Sequence, residues 1–338
     1  MSLRLERPGL QTTVQDLGRA GYQAAGVPVG GALDALALRV ANLLVGNAEG
    51  EAGLEITLLG PTICFEQAHL LALTGADLSA TLDGRPVPRY RLVAVRAGAH
   101  LAFGAARAGC RAYLALAGGL GLPPVLGSCA TLLRAGLGGL HGRALLAGDA
   151  LPAPGPSGLG AALWAKLAVG FQGGSYAAAP WLPVPAVRPL LPPSPVLRAL
   201  RGPEYDEFAP ASQQAFWHEP FTITPAADRM GYRLAGPALS RPAGRELLSS
   251  AVAPGTVQVP PGGQPLVLLA DCQTTGGYPR LAHVVAPDLA QLAQARPGAA
   301  LRFAEVSLAE AHALYLAQEA RVRQLAANYP ILLGQWLR

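Results

Sequence analysis

Lysine is almost absent from this chain. Of 26 basic residues only Lys166 is a lysine, which removes several chemistries at once. A phosphate loop of the G-x-x-x-x-G-K-[ST] type needs a lysine directly after its second glycine, and Lys166 follows Ala165. A biotin-carrying lysine is displayed on a tight turn, whereas Trp164-Ala165-Lys166-Leu167 reads as helix. Schiff-base catalysis would rest on this one residue. Charge is scarce as well, at 14% of 338 residues, against about 25% in a typical soluble protein. The arginines form no basic block and aromatic residues are only 6%, so the footprint of a nucleic-acid binder is missing. The formal charge of +5 suits small anionic substrates or simply a solvated surface.

Metal and redox signatures are also missing. Cys64, Cys110, Cys129 and Cys272 are far apart with no C-x-x-C pair, and the six histidines show no H-x-x-x-H spacing. Free thiols, a reducing compartment and no metal are expected. No apolar run marks the N-terminus and no stretch of eighteen apolar residues occurs, so no membrane contact and a cytoplasmic location are expected.

What the chain has in quantity is apolar and turn-forming residues: 51% hydrophobic, with 41 Gly and 31 Pro. This supports one or two cores built from short strands. The expected class is mainly β (α+β), with peripheral helices. Strands are predicted over 55–59, 70–74, 91–95, 101–103 and 112–117, then over 196–200, 221–224, 256–259, 266–270, 282–285 and 300–303. Helices are predicted over 35–45, capped by Asp34, and over 158–169, started by Ser157. Two more are predicted over 289–295, capped by Asp288, and from a Ser307/Glu310 capping box to about residue 327. Prolines from Pro152 to Pro195 predict a connector over 151–195 between modules at 1–150 and 196–306, with a helix and tail at 307–338. The motif R-x-G-Y-x-x-x-G at 19–26 and 229–236, and Gly98-Ala99-His100-Leu101-Ala102-Phe103 against Gly298-Ala299-Ala300-Leu301-Arg302-Phe303, point to a duplicated fold.

Four constellations could carry chemistry. Gln15, Asp16 and Arg19 offer an amide, a carboxylate and a guanidinium, followed by Gly26 and Gly30-Gly31. They read either as a ligand turn or as a structural Asp16–Arg19 pair. Asp34, with Asn42 and Asn47, reads first as a helix cap that can border a site. Asp228-Arg229-Met230-Gly231-Tyr232 surrounds a glycine with hydrogen-bonding groups. Asp271-Cys272-Gln273-Thr274-Thr275-Gly276-Gly277-Tyr278 follows an apolar strand. It suits a small amide or carboxylate with an oxyanion on it, or else a self-satisfied turn. Cys272 has no adjoining histidine to activate it as a nucleophile.

These same stretches carry a resemblance. The run G-L-Q-T-T-V-Q-D-L-G-R at 9–19, G-V-P at 26–28, A-N-L-L-V-G-N at 41–47, L-T-G-A-D at 73–77, Y-L-A-L-A-G-G at 113–119 and L-G-S at 126–128 resemble the biotin-dependent carboxyltransferase family. So do 228–236, 255–260, 271–279 and 294–303. Its free-standing members are of the KipA type, also described as allophanate hydrolase subunit 2 or as the C subunit of 5-oxoprolinase. Gly31 stands where a serine is usual, and Cys272 occupies a variable position. The resemblance implies two cyclophilin-like β-barrel modules. It also implies one component of an ATP-dependent 5-oxoprolinase that opens the 5-oxoproline lactam to glutamate. The partners would be a KipI-like B subunit, together with an A subunit of the lactam-utilisation type. ATP would be used by the complex, with no biotin attached to this chain. Phosphorylation of the amide oxygen would turn it into a leaving group. A urea-type carboxyltransferase half fed by carboxybiotin, and a non-enzymatic regulator that binds a KipI-like kinase inhibitor, are the other implied roles. On this reading Asp16, Arg19, Asp271 and Gln273 are catalytic. Gln15, Gly30, Asp34, Arg229, Tyr232, Thr274, Gly276, Gly277 and Tyr278 bind substrate. Two loops distant in sequence are expected to share a single pocket.

Overall fold

The computed structural model describes residues 3–171, 173–181, 191–242 and 247–338. The chain forms two compact units that are not contiguous in sequence. The first comprises residues 1–18, 34–189 and 320–338, and the second 19–33 and 190–319. This division departs from the segments read in the sequence: residues 19–33 separate from the N-terminal module. The expected connector is in part folded, since Ala150–Leu151 pairs with Leu3–Arg7 and a helix forms over Leu159–Ala168. Its residues 182–190, with Pro183, Pro185 and Pro189, lie outside the described residues.

The first unit has two six-stranded sheets. One runs Ala150–Leu151, Leu3–Arg7, Thr62–Phe65, His100–Ala102, Thr81–Leu82, Arg85–Pro86. The other runs Tyr176–Ala178, Val93–Val95, His69–Asp77, Ala108–Leu116, Gly53–Thr57, Gln11–Gln15. Alternation along the strands builds the interior: Leu3, Leu5, Ile63 and Phe65 from one sheet meet Leu54, Ile56, Leu71, Leu73 and Leu114 from the other. The opposite face of the second sheet, through Leu70, Ala72, Ala94 and Ala115, packs on the helices Ala35–Leu44 and Leu159–Ala168 and on Leu325, Tyr329 and Leu333.

In the second unit seven strands close a barrel: Val196–Arg201, Arg280–Val284, Thr256–Gln258, Leu266–Leu268, Gly231–Ala235, Phe221–Ile223, Ala300–Glu305 and back to the first. Its core holds Val257, Val267, Leu234 and Leu301, with Phe216 stacked on Phe303 at 4.4 Å between ring centres. Leu33 is part of that core. Strand-rich, with five α-helices among the described residues, the chain has the mainly β class expected of it.

Several local expectations need correction. Asp288 caps nothing; the helix is Ala286–Gln294, and the Asp288 carboxylate instead accepts from Arg198 N, Nε and Nη2. The Leu159–Ala168 helix has Gly158 as its N-cap, and its first backbone bonds, from Gly160 and Ala161 N–H, go to Ser157 O as expected of its start. The Ser307/Glu310 box forms, but its helix continues to Leu337 through Pro330, because Tyr329 and Leu333 are buried and packing outweighs the lost bond. The second sequence repeat has a matching local structure, Ala99 N–H to Arg96 O and Ala299 N–H to Arg296 O ahead of a strand. The first has none: Gly231–Ala235 is a strand, whereas Gln23–Ala25 is a short 3-10 helix.

His69 is fully buried against Phe65, with neither ring nitrogen hydrogen-bonded among the described residues, and burial lowers its pKa from 6.5 to about 4. The unfolded chain therefore takes up this proton first, near pH 6.5, and native stability falls from there down to about pH 4. At about 1.4 kcal/mol per pKa unit, His69 removes roughly 3 kcal/mol over that window. The variant His69→Met is expected to flatten denaturant stability between these pH values. An unchanged pH slope would show that His69 is protonated without cost.

Candidate functional site

The second unit gathers four of the singled-out residues. Arg19 N–H donates to Val29 O at 2.8 Å, which closes residues 19–29 into a loop. Gly30 N–H then donates to Ala270 O at 3.1 Å, setting the loop beside the end of the strand Leu266–Leu268. Gly30 has φ +67°, and a β-carbon there would stand 3.4 Å from Arg19 Nη1 and 3.6 Å from Asp271 Oδ1. Only glycine combines that backbone with so close an approach at little cost.

Arg229 and Asp271 flank paired strands. Gly231 opposes Leu268, and the pairing is extended by Leu269 N–H to Met230 O and Asp271 N–H to Arg229 O, at 2.9 and 3.0 Å. The two side chains therefore emerge together and pair bidentately, Nε to Oδ2 at 2.8 Å and Nη2 to Oδ1 at 2.9 Å. Arg229 Nη2 also donates to Gly31 O at 2.6 Å. Both residues are 5% exposed, and a pair this buried is costly to break because the survivor keeps an uncompensated charge.

A second group is built on the following loop. Gln273 Nε2 lies 3.5 Å from Gln258 Oε1, and Gln258 Nε2 donates to Tyr278 O at 3.3 Å. Thr275–Gly276 pairs with Ser250–Ala251, and Thr274 O accepts from Val252 N–H. A β-carbon on Gly276 would lie 2.7 Å from Gln258 Nε2. Gly277 and Tyr278 line a cavity of about 590 Å³ with Phe208, Leu239, Arg241 and Pro260 among its walls. Arg241 is paired with Glu207 through Nε at 2.8 Å. Arg19, Gly30, Arg229 and Asp271 are not among the residues that line this cavity.

The remaining expected residues have other occupations. Tyr232 points into the barrel core with its hydroxyl toward Ala295 O. Asp16, Gln15 and Asp34 belong to the first unit. The Asp16 carboxylate accepts from Gly18 N–H, Ser128 Oγ–H and Cys129 N–H at 2.6 to 2.7 Å, so it anchors loops and is poorly placed to carry a proton. Gln15 Nε2 donates to Thr13 Oγ1 and Thr131 O. Its buried Oε1 accepts no hydrogen bond among the described residues. Asp34 caps Ala35–Leu44 through Ala37 N–H, which fits the cap reading. Burial, reinforced by Asp271, pushes the Cys272 thiol up to about 11, which removes it as a nucleophile.

Sequence reading missed Gln258 and a buried network in the first unit. Strand alternation gives Val257 to the barrel core and turns Gln258 outward, yet Gln258 is fully buried; a polar residue between two core valines was the available signal. Tyr113 accepts from Asp34 N–H and donates to Glu55 Oε2 at 2.7 Å, and Arg111 Nε lies 3.7 Å from Glu55 Oε1. Burial, then Glu55 and Asp34, raise the Tyr113 pKa and keep the phenol neutral. Among the described residues one trio of potential metal ligands, Glu6, Cys64 and His100, comes within 4.8 Å, with His100 Nε2 already 3.2 Å from Glu6 Oε1.

With this geometry established, comparison with known proteins is decisive. The model of the carboxyltransferase domain, subdomains A and B, matches residues 25–305. The chain belongs to that family. Within the carboxyltransferase family, the C subunit of 5-oxoprolinase from Escherichia coli (strain K12) is 44% identical over 331 residues, covering 96% of this chain and 97% of its own. The Haemophilus influenzae protein of the same name is 41% identical over 315 residues, covering 93% of this chain and 94% of its own. Urea amidolyase of Saccharomyces cerevisiae is 30% identical over 341 residues, covering 96% of this chain but 18% of its own length. The crystal structure of the K. lactis urea amidolyase superposes with a TM-score of 0.85 at 27% identity, over 96% of this chain and 20% of that one. Among the described residues no helix is long and apolar enough to cross a membrane.

Gly30 offers a direct probe of the first group. Gly30→Ala forces a left-handed backbone on an L-residue, so a loss of about 1–2 kcal/mol in denaturant stability is expected. Gly262→Ala, where a β-carbon meets nothing within 4 Å, is expected to be near neutral. Equal stabilities for both variants would show that the Gly30 backbone is not fixed.

Proposed function

We propose that this chain is the C subunit of an ATP-dependent 5-oxoprolinase. It would work with a KipI-like B subunit, plus an A subunit of the lactam-utilisation type, to open 5-oxoproline to glutamate. The observation that carries this reading is the 44% identity to a 5-oxoprolinase C subunit over 97% of that protein. The lactam is a resonance-stabilised amide, and cleaving it places negative charge on its oxygen. Donors on a preformed loop are the usual means of stabilising such an oxyanion. The N–H of exposed Gly277, on the cavity wall, is a donor of that kind, and Gln273 is carried on the same loop beside Gln258. The five-membered ring fits the apolar walls of the 590 Å³ cavity, and Arg241 is the guanidinium on those walls that would meet the substrate carboxylate. This replaces Arg19 and Arg229 in that role, since Arg241 is on the cavity wall and they are not. ATP serves the complex by activating the amide oxygen. This chain has no lysine-bearing phosphate loop, and its residues act on the lactam alone.

The test is reconstitution of the three-component complex with an assay of ATP-dependent 5-oxoproline cleavage. Turnover is expected only with all three present. Gln273→Ala should lower kcat by about a hundredfold, as loss of one oxyanion donor does, and Arg241→Ala should mainly raise KM. No turnover from the complete mixture, or unchanged kinetics in both variants, overturns the assignment. The fold match to a urea amidolyase favours a second reading, a carboxyltransferase half supplied by a biotinylated carrier; saturable binding of such a carrier would support it. A third role, binding a KipI-like kinase inhibitor without catalysis, predicts partner binding with no turnover.

A further inference from the structure

The first unit has its own cavity of about 440 Å³, whose walls include Asp77, Ser79, Thr81, Arg89, Arg91 and Arg107. Three arginines and one aspartate thus line the same cavity. The carboxylate is already engaged: Asp77 Oδ1 accepts from Ser79 N–H at 2.9 Å, and Oδ2 lies 3.7 Å from Arg89 Nη2. Two positive charges remain in excess. Arg89 and Arg91 are half-buried and Arg107 is exposed, so the charge is partly shielded from water but reachable.

The backbone holds this arrangement at some cost. Arg89 and Arg91 flank Tyr90, which has φ +59°, and Ser79 on the cavity wall has φ +53°. Neither is glycine, and left-handed non-glycine residues of this kind persist only where surrounding contacts over-determine them. Tyr90 is held by Gly75 N–H donating to its hydroxyl at 3.0 Å, and Arg89 Nη1 donates to Gly75 O at 2.7 Å. Arg107 is tied to the same strand end, its N–H donating to Asp77 O at 2.7 Å. Arg89 and Arg107 are thus tied to one end of the strand His69–Asp77, while Arg91 Nη1 donates to Ala179 O at 3.5 Å.

We propose that this cavity binds a small dianion with two oxyanion charges, a dicarboxylate or a phosphate, which the three guanidinium forks neutralise. The volume lies within the range of small-molecule sites, roughly 300–1,000 Å³. The proposal is independent of the 5-oxoprolinase reading, because it concerns the isolated chain and needs no turnover.

Isothermal titration of the purified chain with succinate and with inorganic phosphate separates the carboxylate from the phosphate source, and succinamide is the neutral control. Saturable binding of one dianion is expected, weakening as salt rises, with succinamide at least tenfold weaker. Arg107→Ala and Arg91→Ala should each weaken binding by about tenfold, the worth of one charge-assisted hydrogen bond. Arg321→Ala, an exposed arginine of the last helix, should leave it unchanged. No saturable binding of either anion, equal binding of succinamide, or unaltered affinity in both cavity variants overturns the proposal.

Discussion

Among the described residues of the second unit, Arg229 and Asp271 form an ion pair buried at both ends. Arg229 and Asp271 stand at the ends of neighbouring barrel strands, and Arg229 reaches on to the Gly31 carbonyl. Burying the pair carries a desolvation penalty that only near-complete hydrogen bonding offsets. The bidentate geometry and the third acceptor supply that bonding. The same guanidinium, with the Gly30 N–H bond to Ala270 O and Leu33 in the barrel core, holds residues 19–33 to segments some 200 residues away in sequence.

Both units bury polar groups in quantity, and they do so differently. In the first, Glu55, Tyr113 and Arg111 sit on adjacent strands in one network, with Asp34 joining through its backbone. In the second, polar side chains concentrate at strand ends and on the loop after Leu268, where glycines at 276 and 277 bring backbone near side chains. The first pattern stabilises a sheet against a helix. The second places Gly277 and Tyr278 on the wall of a cavity.

Much of this was legible in the sequence, for identifiable reasons. Gly and Pro spacing gave the strand-rich class, and the Asp34 cap and the Ser307/Glu310 box were readable because capping is local. The motifs at 19, 229 and 271 pointed to the right residues but not to their roles. Arg19 and Arg229 sit in one repeated motif, yet only the second forms a strand, because hydrogen bonding to Leu266–Leu268 is a long-range event invisible to local pattern. Asp16 read as part of a ligand turn or as the partner of Arg19; its three donors come from its own turn and from residues more than a hundred positions away. Tyr232 failed as a ligand group because strand alternation turns it inward. Gln258 was passed over because nothing local announces that a distant loop will cover it.

The most direct measurement is a double-mutant cycle on the ion pair, with Arg229→Met, Asp271→Leu and the double variant compared by denaturant unfolding. If the pair is the organising contact, each single variant loses about 3–5 kcal/mol, because a lone charge stays buried, and the double variant regains much of that loss. Losses that simply add, or single variants as stable as the parent chain, would contradict it.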